Sequence, residues 1–147
     1  MKYEVEKRDE GLTIKEILKR RKGFSTRLLR KLKLEGGVFV NGAPKWLNER
    51  VLEKDLIEIR FPKEESHFEP QDIPVEILYE DEDLLFLNKQ PGVVVHPTKG
   101  HPKDTIANGL AYLMKMRGES FKIRFVNRLD MDTSGGLVVA RNAFSQE

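Results

Sequence analysis

The stretch Asn127-Arg128-Leu129-Asp130-Met131-Asp132-Thr133-Ser134-Gly135-Gly136-Leu137 packs a guanidinium, two carboxylates, two hydroxyls and paired glycines between apolar runs. Before it, Phe121 to Val126 reads as an extended segment. After it, Leu137-Val138-Val139-Ala140 is a β-favouring run. The polar cluster therefore belongs in a strand-to-strand connection, with its side chains held at the rim of a sheet.

Upstream, Val75 to Tyr79, the acidic run Glu80-Asp81-Glu82-Asp83 and Leu84 to Lys89 read as strand, solvated hairpin tip and strand. Lys89-Gln90-Pro91-Gly92 then turns into Val93-Val94-Val95-His96-Pro97. Asp104 is placed to cap a helix whose apolar face is Ile106, Ala107, Leu110, Leu113 and Met114. Further upstream, Pro62 to Asp72 has the bounding prolines, charge and lack of periodicity of a connector, so residues 62–74 are assigned as a linker.

Ahead of that linker, Thr13 and Glu16 form a capping-box pair, and Ile14, Ile17 and Leu18 share one helical face. Gly23 is placed to end this helix. Ser25 caps a second helix that buries Leu28, Leu29 and Leu32 and stops before Gly36-Gly37. Val38-Phe39-Val40-Asn41-Gly42 reads as a strand entering a tight turn, and Asp55 to Phe61 as a later strand. Trp46 follows Pro44 and Lys45 in a loop and is expected to cover the small sheet rather than offer a stacking surface.

The chain has 147 residues, 39% hydrophobic and 34% charged, enough for one ordinary domain or two small ones. A formal charge of +2 is too mild to indicate nucleic-acid binding, but its distribution is uneven. Nine cations lie between Lys15 and Lys33 against the single acid Glu16. Solvated helix faces are the bland account of such a run; the asymmetry favours phosphate contact. Cysteine is absent, which excludes disulfides, a thiol nucleophile and thiolate metal sites. No signal peptide or membrane-length apolar run is present, so a cytoplasmic location is expected, and His67, His96 and His101 have no metal-ligand spacing.

Two ordered motifs, Lys89 through Pro91-Gly92 to His96-Pro97, and Arg128-Leu129-Asp130 with Thr133-Ser134-Gly135, resemble those of the RluA/RluD-type family of pseudouridine synthases. The resemblance implies an isomerase of uridine in RNA, with large-subunit ribosomal RNA as the expected substrate, Asp130 as nucleophile and no cofactor or metal. It associates Arg128 with the vacated base position, and Thr133, Ser134 and Gly135 with shaping the turn. Gln90 inserted before Pro91, Asn127 in place of a frequent histidine and Asp132 in place of a basic residue depart from the family pattern. Without the motifs, Asp130 would be an ordinary turn aspartate, or half of a glycosidase-like carboxylate pair with Asp132.

Residues 11 to 61 resemble the S-four-like RNA-binding domain, which implies that Lys22, Arg27, Arg30 and Lys31 contact RNA phosphates. The expected fold is thus α+β. Residues 1–61 form a small two-helix and short-sheet RNA-binding domain, and residues 75–147 form the first part of a mixed, mainly antiparallel synthase domain. Relatives of this type continue well past Ala140, so the chain is expected to be incomplete as a catalyst. The alternative function is RNA binding without catalysis.

Overall fold

The computed structural model describes residues 1–147 and has four α-helices and two four-stranded antiparallel sheets. It divides into two compact units, one made of residues 1–62 with Glu147, the other of residues 63–146. No helix is long and apolar enough to cross a membrane.

In the first unit, β1 (Lys2–Glu4), β2 (Val38–Val40), β3 (Ala43–Pro44) and β4 (Leu56–Ile59) form a sheet in the order β1-β4-β2-β3. Helices α1 (Ile14–Lys22) and α2 (Thr26–Glu35) pack on it. Their ends are set locally. Glu16 N–H donates to the Thr13 hydroxyl at 3.2 Å while Thr13 N–H donates to the Glu16 carboxylate at 2.9 Å, and Leu28 N–H donates to the Ser25 hydroxyl at 3.0 Å. Gly23 and Gly36 close both helices in the left-handed conformation. Ile14, Ile17, Leu18, Leu28, Leu29 and Leu32 meet Val38, Val40, Ile57 and Ile59 in the core.

That core encloses one charge. Asp9 is fully buried in a short 3-10 turn, where its carboxylate accepts from Tyr3 Oη at 2.6 Å and Arg21 Nε at 2.9 Å. The Arg21 hydrogen bond, then that of Tyr3, holds Asp9 below the ordinary carboxylate range. Asp9 in turn pushes the Tyr3 phenol up to about 12.

In the second unit, β5 (Glu76–Glu80), β6 (Leu84–Lys89), β7 (Arg124–Phe125) and β8 (Gly135–Ala140) form a sheet in the order β5-β6-β8-β7. Alternation along β6 and β8 turns Leu85, Leu87, Leu137 and Val139 to the face covered by α3 (Ile106–Arg117). There they meet Ile106, Leu110 and Met114, while Val95, Phe121 and Ile123 close the cluster. A short α4 (Ala143–Gln146) follows β8.

Three local readings change. The cap of α3 is Thr105, one residue beyond Asp104, because Thr105 exchanges a full capping box with Asn108. Asp104 instead takes a positive φ of 59° and accepts from the Gln71 amide at 2.9 Å. Of the extended stretch before the polar turn, only Arg124 and Phe125 pair as strand.

The third concerns the linker read over residues 62–74, of which residues 63–74 fall within the second unit. They carry no regular structure, yet they lie on the second unit as a strap. Glu64 pairs with the buried Arg124, the Ser66 hydroxyl accepts from Ile123 N–H at 2.7 Å, and Phe68 packs against the core cluster. The Glu69 carbonyl accepts from the Asn108 amide at 2.9 Å. The apolar and polar partners of this segment are far away in sequence, so its lack of periodicity gave no sign of them.

Candidate functional site

The polar turn at 127–134 connects β7 to β8, and its shape follows from where β6 ends. Alternation that places Leu85 and Leu87 on the core face places Lys89 there too, opposite Gly135 in the strand register. Lys89 is only 1% exposed. A buried ammonium needs an acceptor for each of its three protons. Lys89 Nζ donates to the carbonyls of Gln90 at 3.0 Å, Met131 at 2.9 Å and Thr133 at 2.8 Å. Burial pushes this lysine below its ordinary value, while the charges of Asp132 and Asp130 act to raise it again.

Two further contacts hold the turn. Gly92 N–H donates to the same Met131 carbonyl at 2.8 Å, which ties the Pro91-Gly92 turn to the site. The Asn127 side chain donates to the Gly136 carbonyl at 2.9 Å and accepts from Val138 N–H at 2.8 Å, so its amide extends the β7–β8 ladder by one rung. The Phe86 ring lies close over Gly136: a Cβ there would sit 2.7 Å from Cζ of Phe86, so a larger residue would have to displace that ring.

On this frame Arg128, Asp130, Asp132, Thr133 and Ser134 are exposed and Gly135 is half-buried. Neither the Asp130 carboxylate nor the Arg128 guanidinium forms a hydrogen bond or ion pair within the chain. The Asp130 backbone carbonyl accepts from Thr133 N–H at 3.1 Å, which closes the turn directly behind the carboxylate. Thr133 thus shapes the turn through its backbone, by this N–H and by the carbonyl that receives Lys89. The residues expected at the site, Asp130, Arg128, Thr133, Ser134 and Gly135, share this single turn. Lys89 and Asn127, the residues that fasten it, were not singled out for that role from the sequence. A lysine closing the apolar strand Leu84-Leu85-Phe86-Leu87-Asn88-Lys89 on its inward-facing positions was the available signal.

His96 is exposed and its ring stands edge-on to Phe68 at 5.2 Å and Phe125 at 6.3 Å. No three histidine, aspartate or glutamate side chains converge on a point that could hold a metal ion.

The four cations expected to contact RNA occupy different faces of the first unit. Lys22 Nζ lies 4.6 Å from the centre of the Tyr3 ring, Arg27 is exposed and Lys31 is half-buried. Arg30 lines a hollow together with Lys15, Lys33 and Trp46. Helical spacing explains the division, since Arg27 and Lys31 are four residues apart on one face while Thr26, Arg30 and Lys33 follow another. Trp46, expected to cover the sheet, is 64% exposed. Leu47 is the loop residue that turns inward.

Residues 83–147 match the RNA pseudouridylate synthase family. An uncharacterized RNA pseudouridine synthase of Bacillus subtilis is 38% identical over 126 residues, covering 84% of this chain and 44% of that protein. The ribosomal large subunit pseudouridine synthase D of Escherichia coli is 41% identical over 118 residues, 77% of this chain and 35% of the relative. An uncharacterized RNA pseudouridine synthase of Aquifex aeolicus is 35% identical over 147 residues, 97% of this chain and 46% of the relative. The chain spans less than half the length of these relatives. With the matched residues running from the start of β6 through the Lys89-braced turn to the last residue, the chain belongs by sequence to the RluA/RluD-type family of pseudouridine synthases.

Proposed function

We propose that the second unit supplies the catalytic aspartate of an RNA uridine isomerase and that the first unit is an S-four-like RNA-binding domain. The observation that carries the catalytic reading is the unpartnered Asp130 carboxylate on a turn whose backbone is held by the buried Lys89. A nucleophile must be ionised and free of competing donors, and its carrier must be rigid. Asp130 meets the last two of these conditions: its side chain is open, and the carbonyls of Met131 and Thr133 in its turn are engaged.

In the isomerisation the bond from ribose C1′ to uracil N1 breaks, the base turns, and a bond forms from C1′ to C5. The proton lost from C5 is balanced by one gained at N1, so no oxidant or group donor enters. Asp130 would act at the electron-poor anomeric carbon and be released when the C1′–C5 bond forms. Arg128, close to Asp130 in the same exposed turn, is suited to organise the space the base vacates. The uridine must leave its stack to reach an exposed turn of this kind, which is cheapest in an unpaired loop.

The first unit supports RNA as the substrate class through its nine cations between Lys15 and Lys33. Large-subunit ribosomal RNA is the substrate named for the Escherichia coli relative, and we extend it to this chain as part of the proposal. The test is pseudouridine formation in large-subunit ribosomal RNA transcripts, with this chain and with a version continued by a family-like carboxyl-terminal half. Formation that disappears with Asp130→Ala is expected in the continued version. Formation that survives Asp130→Ala, or none in either version, overturns the catalytic reading.

A further inference from the structure

Trp46 is the only tryptophan of the chain, and it lies at the surface. An indole left in water forgoes a large burial gain, so a loop that holds one outward invites an explanation. This loop is pinned on both sides of the ring. Trp46 N–H donates to the Glu49 carboxylate at 2.8 Å, and the carbonyl of the buried Leu47 accepts from Lys15 N–H at 2.8 Å. The ring therefore stands on a fixed base.

Beside it is a hollow of about 630 Å³ whose floor includes Leu29 and Leu47 and whose rim carries Lys15, Arg30, Lys33 and Asn48. Arg30 and Lys33 come from the same face of α2, and Lys15 from the first turn of α1. No acidic side chain lines the hollow. The nearby Glu49 is occupied by Lys45 at 2.8 Å and by Trp46 N–H. A second, smaller hollow of about 180 Å³ also borders Trp46, Leu47 and Lys33.

We infer that this hollow is a subsite for one unpaired nucleotide of an RNA strand, with the base stacked on the Trp46 indole and the flanking phosphates on Lys15, Arg30 and Lys33. The inference rests on reading the first unit as RNA-binding. An aromatic plate, an apolar floor and a rim of cations match a nucleotide's π-face and phosphates together. A paired duplex would present phosphates but no free base face, and an acidic peptide would use the cations and leave the indole idle. Asn48 adds an amide able both to donate to and accept from a base edge.

The whole chain is titrated with a short, unstructured, fluorescently labelled RNA and with a blunt RNA duplex of the same length, following the label and the intrinsic Trp46 fluorescence. Saturable quenching of Trp46 by the unpaired strand is expected, with weaker binding of the duplex. Trp46→Leu is expected to weaken the unpaired strand about tenfold or more, with Trp46→Phe recovering part of the loss. Arg30→Gln with Lys33→Gln is expected to flatten the salt dependence, by about 0.7 in the log–log slope for each phosphate contact removed. If the strand binds with an unchanged constant in Trp46→Leu while the double variant still weakens it, the subsite is wrong and the first unit remains an RNA binder. If neither RNA binds the unaltered chain, the RNA-binding reading and the subsite fall together. Equal quenching by an acidic peptide would also overturn the nucleotide assignment.

Discussion

The most deeply buried charge of each unit, Asp9 in the first and Lys89 in the second, is met in an opposite way. In the first, Asp9 faces a guanidinium and a phenol carried on side chains 12 and 6 residues away. In the second, Lys89 faces backbone carbonyls, two of them 42 and 44 residues away. An ion pair neutralises its charge and occupies both partners. Carbonyl dipoles stabilise an ammonium without occupying any carboxylate, so Asp130 and Asp132 stay open to solvent although their turn is fastened by a cation. The first arrangement commits its carboxylate to the ion pair, whereas the second holds a turn and leaves its acids unspent.

The sharpest way to break this contrast is Lys89→Met, which keeps much of the side-chain volume but leaves the Met131 and Thr133 carbonyls without their donor. A loss of about 3 kcal/mol from the second unit is expected in denaturant unfolding followed by circular dichroism, with the Trp46 transition of the first unit unmoved. A loss below about 1 kcal/mol would mean that the turn holds its shape without the lysine. Asp9→Asn should act on the other unit, lowering the Trp46 transition by about 2 kcal/mol, less than for a fully buried pair because Arg21 is partly exposed.

Acid and alkali separate the units by sign. The folded-state value of Asp9 is depressed, so its contribution is present above the unfolded carboxylate range near ~4 and is lost as pH falls through the folded value. The Tyr3 value is raised to about 12, so its contribution is full below ~10 and is lost as pH climbs toward 12. Lys89 is depressed, so between its folded value and the unfolded lysine value near ~10.4 the folded unit releases the proton first and gains stability with rising pH. Alkaline titration of unfolding should therefore show the Lys89 contribution as a gain in the second unit below ~10.4, and the Tyr3 contribution as a loss from the first unit above ~10. Loss of that gain in Lys89→Met would tie it to this residue, and a gain that persists there would assign it elsewhere.

Smaller effects refine the picture. Asn127→Ala removes a side-chain rung from the β7–β8 ladder and should cost about 1 kcal/mol, with faster hydrogen exchange at Val138 N–H. Asp130→Asn should change stability by no more than about 0.5 kcal/mol, because its carboxylate has no partner in the fold. A cost above about 1 kcal/mol would show that Asp130 is structural and would undercut its proposed chemistry.

The legible parts of this molecule are those whose partners are neighbours in sequence. The Thr13–Glu16 box, the Ser25 cap and the glycine stops follow from contacts within a few residues, and the alternation of β6 follows from side-chain geometry alone. Where two adjacent residues can both cap, as at Asp104 and Thr105, the choice is made by Gln71, which lies 33 residues away and engages Asp104. The strap at 63–74 is held by long-range contacts of the same kind, to Ile123, Arg124 and Asn108.

At the candidate site, contiguity along the chain was enough to put the acids, hydroxyls and glycines on one turn, whatever the remaining residues do. How that turn is held, and which of its groups stay open, came from the packed fold. The acceptors that satisfy a buried lysine, and the outward stance of Trp46 beside Lys15 and Arg30, depend on strand register and helix packing, which bring together groups that no local spacing relates.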